Sequence, residues 1–167
     1  MCGIVFGMNL NGEPVNSRVL DIYERQHERG QEGFGAAMFT RKPAENKNAT
    51  PLYTPYIARA MTPARFLADV VNHPAQIILL HHRKPTSTEN RHDQTHPIWV
   101  ENDSLKYAYL ITHNGIIGNA AKLYKEHNDL GFVYQTALEY QTVTKISAAM
   151  EIRFNDSEAL AIELARC

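Results

Sequence analysis

The apolar residues of this chain come in short runs, and the length of those runs limits the fold more than any other feature. Residues 2–7, 33–40, 52–60, 76–83, 98–100 and 107–112 are each strand-sized, and turn residues such as Asn11-Gly12 bound them. The last two flank Asn102-Asp103-Ser104 as a hairpin, and 131–154, rich in Thr, Val, Tyr and Ile, holds two further strands. Helical spacing occurs in four places. Residues 17–28 put Val19, Leu20, Ile22 and Tyr23 on one side, with Asn16 or Ser17 to cap the start and Gly30 to end it. Thr62-Pro63 opens a second helix running to about Val71, 119–127 forms a third capped by Asn119, and 157–166 a fourth capped by Asp156. Strands therefore come in adjacent groups, which predicts a layered α+β domain of about seven strands and about four helices rather than a doubly wound sheet.

A length of 167 residues fits one domain, and 44% apolar residues suffice for a buried core. The net charge of −1 gives no reason to expect a nucleic-acid groove or an anionic membrane as partner. The longest apolar stretches, 76–80 and 107–112, are too short to span a bilayer. Residues 1–10 lack the basic start of a secretory signal. The two cysteines, Cys2 and Cys167, make no disulfide framework, so a cytoplasmic location is expected.

Cys2 draws attention by its position. If Met1 is removed, a free α-amino group and a thiol share one residue, and the amine can take the thiol proton. The plainer reading is a small buried apolar residue. Arg29-Gly30-Gln31-Glu32-Gly33-Phe34-Gly35 places three glycines before a strand, where they permit positive φ or close approach of a ligand. His81-His82-Arg83 ends an apolar strand, and an Arg held there can grip a carboxylate through both N–H groups or simply cap the strand. His113-Asn114-Gly115 offers an amide and a backbone N–H as oxyanion donors, or an ordinary turn. Asn155-Asp156-Ser157-Glu158 opens a helix, with a cap and first-turn acids as its simplest role. His81, His82, His92, His96 and His113 gather around one loop, yet their spacing matches no common metal site, and no motif calls for a cofactor.

Taken in order, Met1-Cys2-Gly3-Ile4, Arg29-Gly30-Gln31-Glu32, His81-x-Arg83, His113-Asn114-Gly115-Ile116-Ile117-x-Asn119 and Asp156-Ser157-Glu158 resemble the class II glutamine amidotransferases. The run Gln26-His27-Glu28-Arg29-Gly30-Gln31-Glu32 is most similar to the glutaminase domain of amidophosphoribosyltransferase, and the resemblance covers nearly all of 1–167. It implies the αββα sandwich of the N-terminal-nucleophile hydrolases, in a minimal or C-terminally shortened form because the chain stops in the helix after Asp156. It also implies hydrolysis of glutamine through a γ-glutamyl thioester on Cys2. Asn114 and Gly115 would form the oxyanion hole, Arg83 would hold the substrate α-carboxylate and Asp156 its ammonium, and Thr86 would also bind substrate. Arg29, Gly30 and His81 would shape the pocket. The implied partner is an ammonia-accepting synthase subunit or a second copy of the chain.

Two departures bear on these roles. Lys84-Pro85-Thr86-Ser87-Thr88 replaces the family's aromatic and Thr-x-Gly turn, so that only Thr86 matches. The segment between Asn114 and Asp156 is longer than in relatives, and an alignment anchored on Gly131-Phe132-Val133-Tyr134-Gln135-Thr136 would put Ala137 in place of the acid. A hydrolase of other γ-glutamyl amides and a non-catalytic glutamine-binding regulatory subunit remain as alternatives.

Overall fold

The computed structural model describes residues 2–42, 52–85, 91–103, 105–143 and 148–167. It contains mixed α and β structure with antiparallel sheets, and four α-helices among the described residues. The chain divides into two compact units, Met1–Pro85 with Asn90–Pro97, and Thr86–Glu89 with Ile98–Cys167.

In the first unit, β1 (Gly3–Met8), β2 (Gly33–Arg41), β3 (Tyr53–Ala60) and β4 (Ile77–Arg83) form one sheet in the order β1-β4-β2-β3. Every pairing is antiparallel, and His82 lies opposite both Gly3 and Phe34. Successive side chains of a strand point to opposite faces. Val5, Phe34, Ala36, Met38, Ala58, Ala60, Ile78 and Leu80 accordingly share one face. Helices α1 (Asn16–Arg25) and α2 (Pro63–Asn72) cover it with Val19 and Tyr23 and with Phe66 and Val70, each pair four residues apart on one helical side.

The start and end of α1 differ from expectation. Neither Asn16 nor Ser17 caps it; Val15 holds the cap position without a side-chain bond. The Asn16 amide instead donates to Val70 O and His73 O, and its oxygen accepts from Ala75 N, tying the two helices and the approach to β4. The helix stops at Arg25 and gives way to a single 3-10 turn at His27–Arg29, so Gly30 ends that turn and not the helix. Pro63 does sit in the first turn of α2, after an extended Thr62.

The second unit pairs β5 (Ile98–Val100) with β6 (Tyr109–Ile111), and β7 (Leu138–Val143) with β8 (Ala148–Arg153), both antiparallel. Helices α3 (Ala120–Asp129) and α4 (Asp156–Arg166) complete it around Ile98, Val100, Phe132, Tyr134, Ala159 and Ile162. The stretch 131–154 holds the two expected strands, β7 and β8, and begins with the turn that closes α3. Gly131 has φ +84° there, and Phe132 N donates back to His127 O. Asn155, not Asp156, caps α4, its side chain accepting from Ser157 N at 3.0 Å. Asn119 occupies the cap position of α3 but makes no side-chain cap bond. Among the described residues no helix is long and apolar enough to cross a membrane.

Candidate functional site around Cys2

Gly3 faces the helices: a Cβ there would lie 3.1 Å from the His82 ring and 3.3 Å from Arg29 Cβ. Alternation along β1 therefore turns Cys2 to the opposite face. Its sulfur rests on the residue that follows β4, accepting from Lys84 N at 3.4 Å and donating to Lys84 O at 3.6 Å. Arg29 Nε donates to Cys2 O at 3.2 Å, which fixes the backbone beneath the thiol. Cys2 is half-buried, whereas Cys167 is exposed. The thiol is thus held in place against the Lys84 backbone.

The end of β4 supplies the surroundings. His81 is fully buried, neither ring nitrogen has a hydrogen-bond partner among the described residues, and the ring packs on His96 at 4.6 Å between centroids. Burial, with repulsion from His96, Arg83 and His82, pushes its pKa down to about 2. His81 is therefore neutral at any ordinary pH and holds no charge for a substrate. His82 points the other way, stacked on Tyr23 at 3.6 Å, with Nε2 on Tyr23 O at 2.9 Å and Nδ1 facing Gly30 O at 3.2 Å. Burial lowers its pKa despite those two carbonyls. Arg83 is also buried, and one of its N–H groups donates to Gln94 O at 2.6 Å.

The buried imidazole of His81 sets a pH dependence of stability. Its folded pKa lies below the unfolded value of 6.5, so acid favours the unfolded chain, which takes up the proton. The stability held above pH 6.5 is lost as pH falls below it, at about 1.4 kcal/mol per pH unit for one such group. Urea midpoints at pH 7 and pH 5 are expected to differ accordingly, and His81→Leu to remove a large part of the difference. An unchanged slope in that variant would show that other groups carry the acid sensitivity.

The glycines of the 29–35 segment have a different purpose from the one expected. None of Gly30, Gly33 and Gly35 has positive φ. A Cβ on Gly30 would lie 2.6 Å from the Arg83 carbonyl carbon and oxygen, and one on Gly35 would lie 1.7 Å from His96 O. Gly30 and Gly35 admit the protein's own backbone, and Gly33 admits the Thr95 and Arg83 side chains.

Of the residues singled out from sequence, Cys2, Arg29, Gly30, His81 and Arg83 belong to the first unit. Asn114, Gly115 and Asp156 belong to the second. There Asn114 and Gly115 are exposed, and their turn is tied to the start of α4: Ile117 N donates to Asp156 Oδ2 at 2.7 Å, and His113 Nδ1 shares a hydrogen bond with Ser157 Oγ at 3.0 Å. Met1 and Thr86 lie outside the described residues. Sequence reasoning missed the Lys84 backbone beside the sulfur and the 94–97 segment that lies over Gly35. It also missed Arg59, which holds that segment through Thr95 O at 2.8 Å and Pro97 O at 2.6 Å. The spacing Gly33-x-Gly35 was the available signal, since two glycines on one strand face mark a close neighbour. Among the described residues no group of three or more His, Cys, Asp or Glu side chains is placed to hold a metal ion.

No family model matches the chain. It is 25% identical over 121 residues to 7-cyano-7-deazaguanine synthase 2 of Sulfurisphaera tokodaii, a match over 71% of this chain and 24% of that protein. The chain therefore spans about a quarter of the length of the curated relative it matches. That relative is named as a synthase, not as a glutamine amidotransferase. The assignment to class II glutamine amidotransferases, to N-terminal-nucleophile hydrolases and to glutamine hydrolysis is corrected accordingly. Several of the short motifs behind it have local causes in the fold. Gly30 is demanded by the Arg83 backbone, the 113–117 turn is pinned to α4, and Asp156 is a first-turn acid bonded to Ile117.

Proposed function

We propose that this chain is a cysteine-dependent domain of a larger synthase that resembles, in part of its length, the 7-cyano-7-deazaguanine synthase. The observation that carries the reading is the seating of the Cys2 sulfur against Lys84, outside the helix-covered core and with its backbone held by Arg29. A thiol so placed is suited to attack a carbon at the carboxyl oxidation level. The sulfur–carbon bond forms as the leaving group departs with its electron pair and a proton, and a second nucleophile later reverses the attachment, with no net oxidation. A cyano carbon shares that oxidation level, so the chemistry suits a synthase of the kind the relative's name describes. Lys84 N–H orients the sulfur, Arg29 positions the strand end, and Arg83 steadies the segment through Gln94. Asn114, Gly115 and Asp156 are proposed as the polar end of the second unit, available to a substrate or to the rest of the enzyme.

The same reading includes a partner, either the remaining synthase segment or a second copy of this chain. It keeps the αββα sandwich as a proposed arrangement, on the strength of one helix layer and one antiparallel sheet in the first unit.

Alkylation with iodoacetamide followed by peptide mass spectrometry tests the thiol. Modification of Cys2 is expected to abolish turnover by the full synthase, and Cys2→Ala to lower it by about 10³-fold or more with the fold intact. Arg29→Ala is expected to give a milder loss. A Cys2→Ala protein that turns over at the native rate would end the proposal.

A further inference from the structure

Where β3 ends and α2 begins, a cavity of about 260 Å³ is lined by Arg59, Thr62, Arg65 and His92, all residues of the first unit. Thr62, Arg65 and His92 are exposed and Arg59 is half-buried, so an occupant arriving from solvent can touch them. Among the described residues no carboxylate lines the cavity.

The positive groups here are held in place and only partly neutralised. Arg59 Nε donates to Thr95 O at 2.8 Å and Nη2 to Pro97 O at 2.6 Å, so neutral carbonyls fix the guanidinium without cancelling its charge. Burial lowers the Arg59 pKa, and Asp93, the acid that opposes this, is itself paired with Arg91. Arg65 forms no ion pair among the described residues. His92 Nε2 donates to Arg59 O at 2.8 Å, which sets the ring against the cavity wall. The start of α2 adds to the same field. Thr62 makes no side-chain cap bond, and a helix supplies no acceptor for its own first N–H groups, here those of Ala64 and Arg65 after Pro63. Its aligned peptide dipoles make that end positive as well.

We infer that this cavity binds a phosphoryl group, as free phosphate or as a small phosphate ester. A tetrahedral dianion accepts from several directions at once, and this site offers donors from several: the Arg65 fork, the Thr62 hydroxyl and the amides that open α2. A planar, singly charged carboxylate would use fewer of them. The volume lies below the roughly 300 Å³ at which sites for larger organic ligands begin, which favours a compact occupant. Met61, exposed at the same cavity, gives a small organic remainder an apolar contact. Cys2, Arg29 and Lys84 do not line it, so binding here is independent of the thiol.

Titration calorimetry on the full chain, at constant ionic strength set with sodium chloride, uses inorganic phosphate, glycerol 3-phosphate and acetate as probes. Saturable binding of phosphate, of the ester or of both is expected, and none of acetate. Arg65→Ala should weaken it by about tenfold or more, and Arg65→Lys, which keeps the charge but loses the fork, by a smaller factor. Arg65→Glu should abolish it. His92→Ala should weaken it by about threefold. Arg18→Ala, which removes an exposed cation of α1 outside the cavity, should bind as the native chain does, and so should Cys2→Ala. Circular dichroism checks that the Arg65 variants fold, and if they do not, His92→Ala and the comparison of probes decide. Phosphate without the ester assigns a free-ion site, the ester without phosphate assigns an ester site, and either result supports the inference. It is overturned if neither phosphate probe binds saturably, if acetate binds as tightly, or if a folded Arg65→Glu protein binds as the native chain does.

Discussion

Gly35→Ala is expected to destabilise the first unit by about 3 kcal/mol, at the upper end of what overpacking costs. The added methyl would meet His96 O at 1.7 Å, and the obstacle is backbone, which cannot swing aside like the end of a side chain. The 94–97 segment must lift from β2, and the contacts that Arg59 makes with Thr95 O and Pro97 O go with it. The packing of His96 on His81 is disturbed as well. Gly118→Ala is the matched control, since nothing lies within 4 Å of a Cβ there. Its effect should stay within about 0.5 kcal/mol. Urea denaturation of the two variants measures the contrast. Equal midpoints would mean that the segment does not rest on β2 in solution.

Glu158→Ala is expected to cost the second unit a comparable amount, about 3–5 kcal/mol. The carboxylate is 1% exposed and accepts from Gln135 N at 2.7 Å, Thr136 N at 2.9 Å and Thr136 Oγ1 at 2.6 Å. Thr136 Oγ1 in turn accepts from Asn155 N at 2.9 Å, so one acid organises the approach to β7 and the cap of α4 together. Burial raises the Glu158 pKa, and the hydrogen bonds from Thr136 and Gln135 oppose that rise. Glu158→Gln keeps the shape and one oxygen but turns an amide donor toward donors, so it should fall between the native protein and the alanine variant. Thermal melts with all three proteins check the order. A silent Glu158→Ala would show that water satisfies the 135–136 backbone equally well.

Much of the architecture was legible because the physical signals were local. The apolar strand of 76–83 became β4, the Thr62-Pro63 pair began α2, and the expected antiparallel pairing formed between β5 and β6. Details that depend on distant partners were not. Asn16 reads as a helix cap, yet its amide reaches more than fifty residues along the chain to Val70 and His73. Gly35 reads as a glycine for positive φ or for close approach of a ligand, because nothing local reveals that His96 O passes above it. In the candidate site, Cys2 was visible from its type and place. Its partner was not, since a backbone N–H from Lys84 has no sequence signature and is brought there by the pairing of β1 with β4. The function read from the motifs failed for a related reason. Short ordered motifs record local structural demands as readily as they record chemistry, and Gly30 and Asp156 each answer such a demand.

β4 has a consequence for how this chain tolerates change in length. Its alternate residues serve opposite sides of the sheet, Ile78, Leu80 and His82 toward the helices and His81 and Arg83 away from them. Gaining or losing a single residue within the strand would exchange the two sets, turning Arg83 toward the apolar layer and His82 away from Tyr23. Insertions and deletions here must therefore come in even numbers or fall outside the strand. The lineage of this domain should show that parity, with β4 constant in length while the loops around it drift.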